Sequence, residues 1–589
     1  MSDIQAKLDY ADAVVEWLLD LSEGNLARAD WEGALRYTYI AATVLSRQNR
    51  TLSSARIEAN LQRVAEHLPG AEGIRSDSKS KETCLHVLSE ALPTGGLIAI
   101  ATRWMLNDRS RRRHSVALLD QRTPIPEGLA QVVREKGGVV HTADPDASLL
   151  SRALWLRKLA REEASHIILH VDVSDVIWGA AFGCPGGPSV MLVNQNAHLF
   201  WTGGSVVDLV LNIRGSALEG DWVSTLRGIP RYANVPIPLP EPAAHEISVV
   251  ASQERRSEAR RLLDLPSDGI VLLTVGSWFK YLAVGSLDFV ATCERILREV
   301  PQAVVLAVGF QGDERWKSAS LRVGSRIRTL GRVSQAELAT IRAASDIYLE
   351  GFPFGTTASL LESALRGMPV VLAPATCPPP YGTDGLAVDD VLVRPACVED
   401  YVNTVIRLAR NPADRQREGA AVRQSVYEHH TDDGWRGHLD AAFRALPAEH
   451  AVHPPVVPVR TPTTIHEYWA RFVPQWSWGY EQTLEHAVHN AYSLHLKPQL
   501  SPKMLEACRQ AKGIRAGRTV PLPLLVLLCN HLLARLPAPL DRQVFRLAAS
   551  ACRGSLLSRV FRRIARLLRL TEEPRRPYQE YRPASAPRT

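Results

Sequence analysis

Residues 353–362 combine a tight turn with polar groups that would suit a diphosphate. Gly355, Thr356 and Thr357 follow a short apolar run and come directly before a stretch with helical periodicity. Since the start of a helix carries free N–H groups and a partial positive charge, backbone donors and two hydroxyls would face an anion here. Glu362, one to two turns further along, could bring a carboxylate to the sugar hydroxyls of a bound nucleotide. A turn between strand and helix with no ligand is the simpler alternative.

A positive charge follows the apolar run 270–275, where Gly276, Ser277 and Lys280 stand. Glycine lets the backbone approach a ligand, and the lysine ammonium is a compact point charge. Polar groups at the carboxyl end of a buried strand lie where parallel α/β sheets bind ligands. In isolation, a lysine at such a position is more often solvated than ligand-bound.

Two histidines are candidates for a general base. His170 ends the apolar run 166–170 and is followed by Asp172 and Asp175. A neighbouring carboxylate can fix the tautomer of a histidine and raise its basicity, which suits deprotonation of an acceptor hydroxyl. A histidine satisfied by the backbone of neighbouring loops is an equal alternative. The second candidate, His198, lies in an amide-rich loop after the next apolar run.

Aromatic and basic residues follow His198. Trp201 could form a platform on which a sugar stacks, or it could pack the core of its domain. Arg214 and Arg227 could balance phosphate charge, although each is expected on its own to be a surface residue. Gly95 and Gly96 form a further glycine pair between a strand and a helix, at a possible ligand edge or in a plain turn.

Alternating apolar runs and helical stretches predict the elements that position these residues. One parallel α/β domain is expected over 81–240 and a second over 245–425. The predicted strands include 84–88, 115–119, 138–141, 166–170 and 189–193 in the first domain, and 270–275, 303–308, 326–330, 347–349 and 370–372 in the second. A proline-rich linker at 236–242 joins them. The expected fold class is α/β, with two doubly wound, Rossmann-like domains facing a cleft.

Helical extensions are expected at both ends, in the range 1–70 and over 466–570. A helix over 426–447 would cross back to the first domain. Residues 571–589 are rich in Pro, Arg and Ser and are expected to be disordered. Within the C-terminal extension, 555–570 reads as a basic amphipathic helix. It could lie on an anionic membrane, bind an acidic partner, or pack against 520–550.

The segments 346–371 and 272–281 resemble the donor-binding half of GT-B glycosyltransferases. The resemblance extends more weakly over about 81–445. It implies that the helix start at Thr356 and Thr357 holds the donor diphosphate, that Lys280 neutralises it, and that Glu362 holds the ribose. Gly276 and Ser277 would line the cleft, with Gly95, Gly96, Asp172 and Trp201 on the acceptor side. These are residues of the present chain that match the family pattern.

One departure from the family favours an inverting reaction. Retaining GT-B enzymes carry two glutamates separated by seven residues, but the position matching the partner of Glu362 is Phe354, and Glu350 is four residues too early. The sequence of residues 352–357 is more similar to that of O-GlcNAc transferase and the bacterial adhesin glucosyltransferases, which invert the anomeric configuration of the sugar. Inversion needs a base, for which His170 and His198 are the candidates. The resemblance requires no metal and no bound cofactor.

Composition limits the partners. The chain of 589 residues has a net charge of +7, but residues 551–589 contain ten Arg and three Glu and therefore hold the whole excess. A nucleic-acid enzyme would more often spread basic charge over its body, so nucleic acid is not expected as a partner. The expected partners are a nucleotide-sugar donor and a glycan, lipid-linked or protein acceptor. A cytoplasmic location fits the eight scattered cysteines and the lack of a signal peptide, with a peripheral position on the inner face of the membrane as the alternative. A non-catalytic sugar or peptide scaffold and a nucleotide-sugar epimerase remain as alternative functions.

Overall fold

The computed structural model describes residues 2–48, 50–70, 82–93, 95–240, 249–455, 459–462 and 468–469. The chain divides into two units, Met1–Trp17 with Glu481–Thr589, and Leu18–Tyr480. Both sheets described below belong to the second unit. The predicted amphipathic helix 555–570, the tail 571–589 and nearly all of the extension 466–570 lie outside the described residues.

The N-terminal sheet has seven parallel strands in the order β3-β2-β1-β4-β5-β6-β7. Its central strands are buried, as expected where helices cover both faces of a parallel sheet, and its two short edge strands are partly exposed. They are β1 Thr83–Leu88, β2 Arg113–Leu118, β3 Val140–Thr142, β4 His166–His170, β5 Ser189–Asn194, β6 Leu209–Asn212 and β7 Tyr232–Asn234.

The C-terminal sheet has five parallel strands in the order β10-β9-β8-β11-β12. Its longer strands are also apolar runs, and β9 is buried along its whole length. The strands are β8 Ile270–Val275, β9 Ala303–Val308, β10 Ile327–Thr329, β11 Ile347–Leu349 and β12 Val370–Val371.

Helices surround the two sheets, and polar residues start several of them. Ser334 and Glu337, for example, form a reciprocal capping box at the start of the helix Gln335–Ala344. The helices are α1 Ser2–Ala27, α2 Trp31–Gln48, α3 Ala55–His67, α4 Gly96–Asn107, α5 Glu127–Glu135, α6 Leu149–Glu163, α7 Ile177–Phe182, α8 Ala217–Thr225, α9 Val249–Leu262, α10 Phe289–Glu299, α11 Glu314–Arg322, α12 Gln335–Ala344, α13 Thr357–Ala364, α14 Val398–Arg410, α15 Pro412–His430 and α16 Asp432–Ala445.

The C-terminal helices contact the linker that leaves β7. Trp435 donates its indole N–H to the carbonyl oxygen of Pro236 over 2.8 Å. His430 Nδ1 lies 2.9 Å from the carbonyl oxygen of Ile237. Trp435 also packs edge to face against Trp104 of α4, with 5.9 Å between ring centroids. The helices α15 and α16 are thereby held against the N-terminal sheet.

Each sheet reverses its strand order once, between β1 and β4 and between β8 and β11. Such reversals open a crevice at the carboxyl ends of the flanking strands, where α/β sheets bind ligands. The expectation of two doubly wound parallel domains is confirmed. Among the described residues, no helix has both the length and the hydropathy needed to cross a bilayer.

Candidate active site

The loops that leave β8 and β11 start side by side, because these strands are neighbours in the C-terminal sheet. The first loop runs from Gly276 into a short 3₁₀ helix, Trp278–Tyr281. The second runs from Glu350 to Thr356, immediately before α13. The strand order therefore brings together the two segments that the sequence singled out.

Lys280 joins these two loops. Its Nζ donates a hydrogen bond of 2.6 Å to the carbonyl oxygen of Gly355. Gly276 lies beside both, since a Cβ built on it would stand 3.0 Å from Thr356 Oγ1 and 3.4 Å from Lys280 Cδ. The predicted residues Gly276, Lys280, Gly355 and Thr356 thus form one cluster at the carboxyl edge of the sheet, and we refer to them as the lysine cluster.

A buried carboxylate lies next to the lysine cluster. Glu350 is fully buried and accepts hydrogen bonds from the backbone N–H groups of Thr383, at 2.8 Å, and Ala373, at 2.7 Å. A Cβ on Gly355 would come within 2.0 Å of Glu350 Oε1, so the close approach of this loop requires glycine. Burial lowers the pKa of Lys280 to about 8, although the charge of Glu350 acts in the opposite direction.

The remaining donor-side residues lie at the edges of the lysine cluster. Ser277 is exposed, and its carbonyl oxygen accepts the backbone N–H of Lys280 at 3.0 Å. Thr357 starts α13, and its hydroxyl lies 3.0 Å from the hydroxyl of Thr383. Thr356 precedes the helix without a side-chain hydrogen bond to its first N–H groups. The start of α13 therefore keeps backbone donors next to Lys280.

His198, from the N-terminal domain, reaches the lysine cluster through Phe354. The His198 and Phe354 ring centroids are 5.2 Å apart, and Lys280 Nζ lies 4.6 Å from the centroid of Phe354. Tyr381 and Trp469 also pack edge to face against the His198 ring, at 5.7 Å and 5.5 Å. Burial, followed by the charge of Arg214, lowers the pKa of His198 to about 3, so the ring is neutral near pH 7. The ring is therefore present as the free imidazole, which can accept a proton, but a pKa this far below 7 makes it a weak base.

Arg227 positions the loop that carries His198. Its guanidinium donates to the carbonyl oxygens of Ala197, at 3.0 Å, and Leu199, at 2.6 Å, on either side of the histidine. It also stacks on Trp201, 4.2 Å from the ring centroid. The expectation that Arg227 is a surface residue is wrong. Trp201 is itself buried and covered by Arg227, so it does not present a sugar-stacking platform.

Arg214 was expected at the surface and is buried as well. It pairs with Glu219 at 3.0 Å and with Asp384 at 2.8 Å, and it donates to the carbonyl oxygen of Pro380. Since Asp384 follows the C-terminal sheet and Arg214 follows β6, this arginine ties the two domains together. Its role is structural rather than that of a free phosphate ligand.

His170 does not face a cleft. It is fully buried, and its Nε2 lies 3.0 Å from His86 Nδ1. His86 Nε2 in turn lies 2.9 Å from His114 Nδ1, and His114 Nε2 lies 3.2 Å from Asp108 Oδ2. Burial lowers the pKa of His170 to about 3. Because His170 is fully buried and its Nε2 is occupied by His86, it cannot meet an acceptor, and the base is not assigned to it.

The other acceptor-side candidates are more exposed. Gly95 and Gly96 start α4 at the surface, and a Cβ on Gly96 would lie 3.6 Å from Gln195 Oε1, in the loop of His198. The exposed Asp172 accepts hydrogen bonds from Ser174 rather than from a histidine among the described residues. The glycine pair thus adjoins the His198 loop, whereas Asp172 and His170 do not form a pair.

Glu362 bridges the two domains. Its carboxylate pairs with Arg342 of α12 at 2.5 Å and with Arg103 of α4, two arginines that the sequence did not single out. Burial alone would raise the pKa of Glu362, but the two arginines outweigh it and the pKa is lowered. The carboxylate is ionised, and it is already engaged at the position where the resemblance predicts a ribose contact.

Two doubly wound parallel sheets are the architecture of the GT-B fold. The chain is similar in fold to solved GT-B structures. One is HepE from Anabaena in complex with UDP and glucose, at 14% identity and a TM-score of 0.46, covering 62% of this chain and 100% of that one. Another is a variant of the O-GlcNAc transferase from Thermobaculum terrenum, at 13% identity and a TM-score of 0.45, covering 74% and 84%.

The UDP-GlcNAc 2-epimerase from Neisseria meningitidis, solved with UDP-GlcNAc, is also similar, at 12% identity and a TM-score of 0.41, covering 62% of this chain and 100% of that one. No protein-family model and no curated protein matches the chain. The fold class rests on the strand orders of the two sheets and not on these similarities.

Proposed function

We propose that this chain transfers a sugar from a nucleotide-sugar donor to an acceptor hydroxyl or amide. The observation that carries the proposal is the lysine cluster. Lys280, glycine backbone and the start of α13 meet at the order reversal of a parallel sheet. A cation beside free helical N–H groups is suited to a diphosphate. A bare scaffold would not need this combination.

In the proposed reaction, the bond between the anomeric carbon and the diphosphate oxygen breaks, and its electron pair stays on the diphosphate. Lys280 and the start of α13 stabilise the charge that develops there. The acceptor attacks the anomeric carbon from the opposite side, which inverts its configuration. His198 takes the proton of the acceptor. Because Lys280 supplies the positive charge, the proposal includes no metal ion and no bound cofactor.

Phe354 supports the inverting course. It occupies the position at which retaining members of the resembled class carry their first glutamate, and its ring contacts both His198 and Lys280. An apolar ring at this point offers no carboxylate to stabilise charge on the donor-facing side.

A donor and acceptor screen tests the proposal. The full chain is incubated with individual nucleotide-sugars and fractionated glycan, lipid and protein acceptors, and products are identified by mass spectrometry. We expect one donor to add a single sugar mass to an acceptor, and Lys280→Ala to abolish the addition. Incubation without acceptor reveals epimerised sugar if the reaction is epimerisation. A chain that neither transfers nor binds any nucleotide-sugar contradicts the proposal.

A further inference from the structure

Two aromatic residues from outside the sheet domains pack beside the proposed base. Tyr468 and Trp469, which we call the aromatic pair, follow α16 in the sequence. The ring of Trp469 packs edge to face against His198, with 5.5 Å between centroids, and lies nearly parallel to Tyr381 at 5.7 Å. Tyr468 also stacks on Tyr381, with 4.8 Å between centroids. The aromatic pair therefore lies at the edge of the candidate active site.

Polar contacts fix the aromatic pair at two places. The Tyr468 hydroxyl donates a hydrogen bond of 2.5 Å to the carbonyl oxygen of Pro353, in the loop between β11 and α13. The Trp469 indole N–H donates over 2.8 Å to the carbonyl oxygen of Arg47, near the end of α2. The pair thus connects the N-terminal helices to a loop that carries part of the lysine cluster. Neither hydrogen bond involves a strand, so both can break without opening a sheet.

The aromatic pair closes the surroundings of His198. Trp469 is only 1% exposed, and its ring fills space beside the imidazole. Phe354 and Tyr381 pack against the same imidazole from loops of the C-terminal domain. A general base has to come within about 3 Å of the group it deprotonates, so an acceptor needs room beside this ring. Of the three neighbouring rings, that of Trp469 belongs to neither sheet domain and is the one that can leave with both domains intact.

We propose that the aromatic pair holds the site in a closed state, in which it covers His198 and has to move away before an acceptor reaches the imidazole. The covering rests on the contacts of the pair, whereas the role of His198 as base rests on the proposed function. Burial lowers the pKa of His198 to about 3. Withdrawal of Trp469 would let water reach the ring and raise this pKa towards its ordinary value, so access and base strength would increase together.

The reactivity of His198 towards diethyl pyrocarbonate tests the covering without requiring catalysis. The reagent acylates an accessible imidazole, and peptide mass mapping of the full chain treated at pH 7 gives the rate at each histidine. Trp469→Ala removes the ring and its hydrogen bond and should raise the rate at His198 about tenfold or more. Tyr468→Phe keeps a stacked ring but loses the hydroxyl that bonds Pro353, and should raise the rate about fivefold.

Two controls separate local opening from unfolding. Trp278→Ala removes a tryptophan that is 40% exposed and packs edge to face on Phe279, so it should leave the rate at His198 unchanged. His170 is fully buried and serves as an internal reference in each variant. An unchanged rate at His198 in both variants of the aromatic pair overturns the proposal. An equal rise at His170 also overturns it, because the pair would then only stabilise the fold.

Sugar transfer provides the second measurement. We expect Trp469→Ala to raise kcat/KM for the acceptor, because a larger fraction of the chain is in the open state. A fall in kcat/KM would show that Trp469 is part of the working site, and it overturns the closed state. Faster acylation of His198 in a chain that transfers no sugar supports the covering and contradicts the proposed function, so the two failures are distinguishable.

Discussion

The ammonium group of Lys280 donates a 2.6 Å hydrogen bond to the carbonyl oxygen of Gly355, across 75 residues of sequence. This contact joins the loop after β8 to the loop after β11. It also places the cation next to the first turn of α13, where backbone N–H groups are free to bind an anion. A diphosphate bound there would compete with the Gly355 carbonyl oxygen for the ammonium group. The ammonium would then form a stronger, charge-assisted hydrogen bond with a phosphate oxygen.

The pH dependence of donor use should reflect Lys280. Its pKa is about 8, and the neutral amine loses its attraction for a diphosphate. The value of kcat/KM should therefore be highest below pH 8 and fall as the pH rises above it, by up to about tenfold per unit as the protonated fraction declines. Lys280→Arg, which stays charged, is the control. An alkaline decline that persists unchanged in this variant would assign the titration to another group.

Space at Gly276 should limit donor binding. In Gly276→Ala, the new methyl group would stand 2.9 Å from Tyr281 Oη and 3.0 Å from Thr356 Oγ1, so the lysine cluster must shift. We expect donor affinity to fall about tenfold, the usual scale of one lost charged hydrogen bond. Gly128→Ala is the control, because its methyl group would meet nothing within 4 Å. Equal donor affinity of the two variants, measured by titration, would argue against a ligand at this loop.

His198 should affect the rate but not donor binding. His198→Phe retains an aromatic ring for the contacts with Phe354, Tyr381 and Trp469 and removes the ring nitrogens. We expect kcat to fall by about 10²–10⁴-fold, as for loss of a general base. Donor affinity should change by less than about threefold, which is within 1 kcal/mol. Steady-state kinetics with saturating acceptor measure this, and a wild-type kcat would exclude His198 as the base.

The ion pairs of Glu362 should contribute to stability. Glu362→Gln leaves Arg342 buried and unpaired, and should lower the free energy of unfolding by about 3 kcal/mol, near the lower end for one lost partner of a buried pair. Arg103→Met removes the more exposed partner and should cost only about 1 kcal/mol. Denaturant titration gives both values. If both variants unfold at the wild-type midpoint, the bridge has no energetic role.

The same pair of variants probes the proposed ribose contact. Arg103 pairs with the Glu362 carboxylate, so Arg103→Met should leave donor affinity unchanged or improve it. Glu362→Gln should reduce it. If instead Arg103→Met weakens donor binding as much as Glu362→Gln, the two residues support the site through domain packing alone.

The lysine cluster could be predicted from the sequence because the carboxyl ends of parallel strands share one edge of a sheet. Gly276 and Lys280 follow β8, and Gly355 and Thr356 follow β11, so recognising the strands was sufficient to place them together. Strand periodicity alone does not say which side of the sheet a terminal side chain faces. His170 ends β4 as predicted, but its ring lies in the buried layer of His86 and His114.

The sequence did not predict contacts between side chains that are far apart along the chain. Arg103 and Glu362 are 259 residues apart, and only the packing of α4 near α13 brings them together. Trp201 is the kind of aromatic residue on which a sugar can stack, yet the guanidinium of Arg227 covers its ring. A buried arginine that donates to several carbonyl oxygens leaves no pattern in sequence, because its partners are backbone atoms of distant loops. Such residues become evident only from the folded chain.

Titration of the full chain with nucleoside diphosphates tests the central claim most directly. The account predicts that at least one of UDP, GDP, ADP, CDP and TDP binds with one-site behaviour. It also predicts that Lys280→Ala weakens this binding about tenfold or more, the scale of a lost charged hydrogen bond. The control is Arg261→Ala, at an exposed residue of α9 that pairs with Glu258, and it should leave the binding unchanged. Binding that is unaffected by Lys280→Ala, or no binding of any of the five, would contradict it.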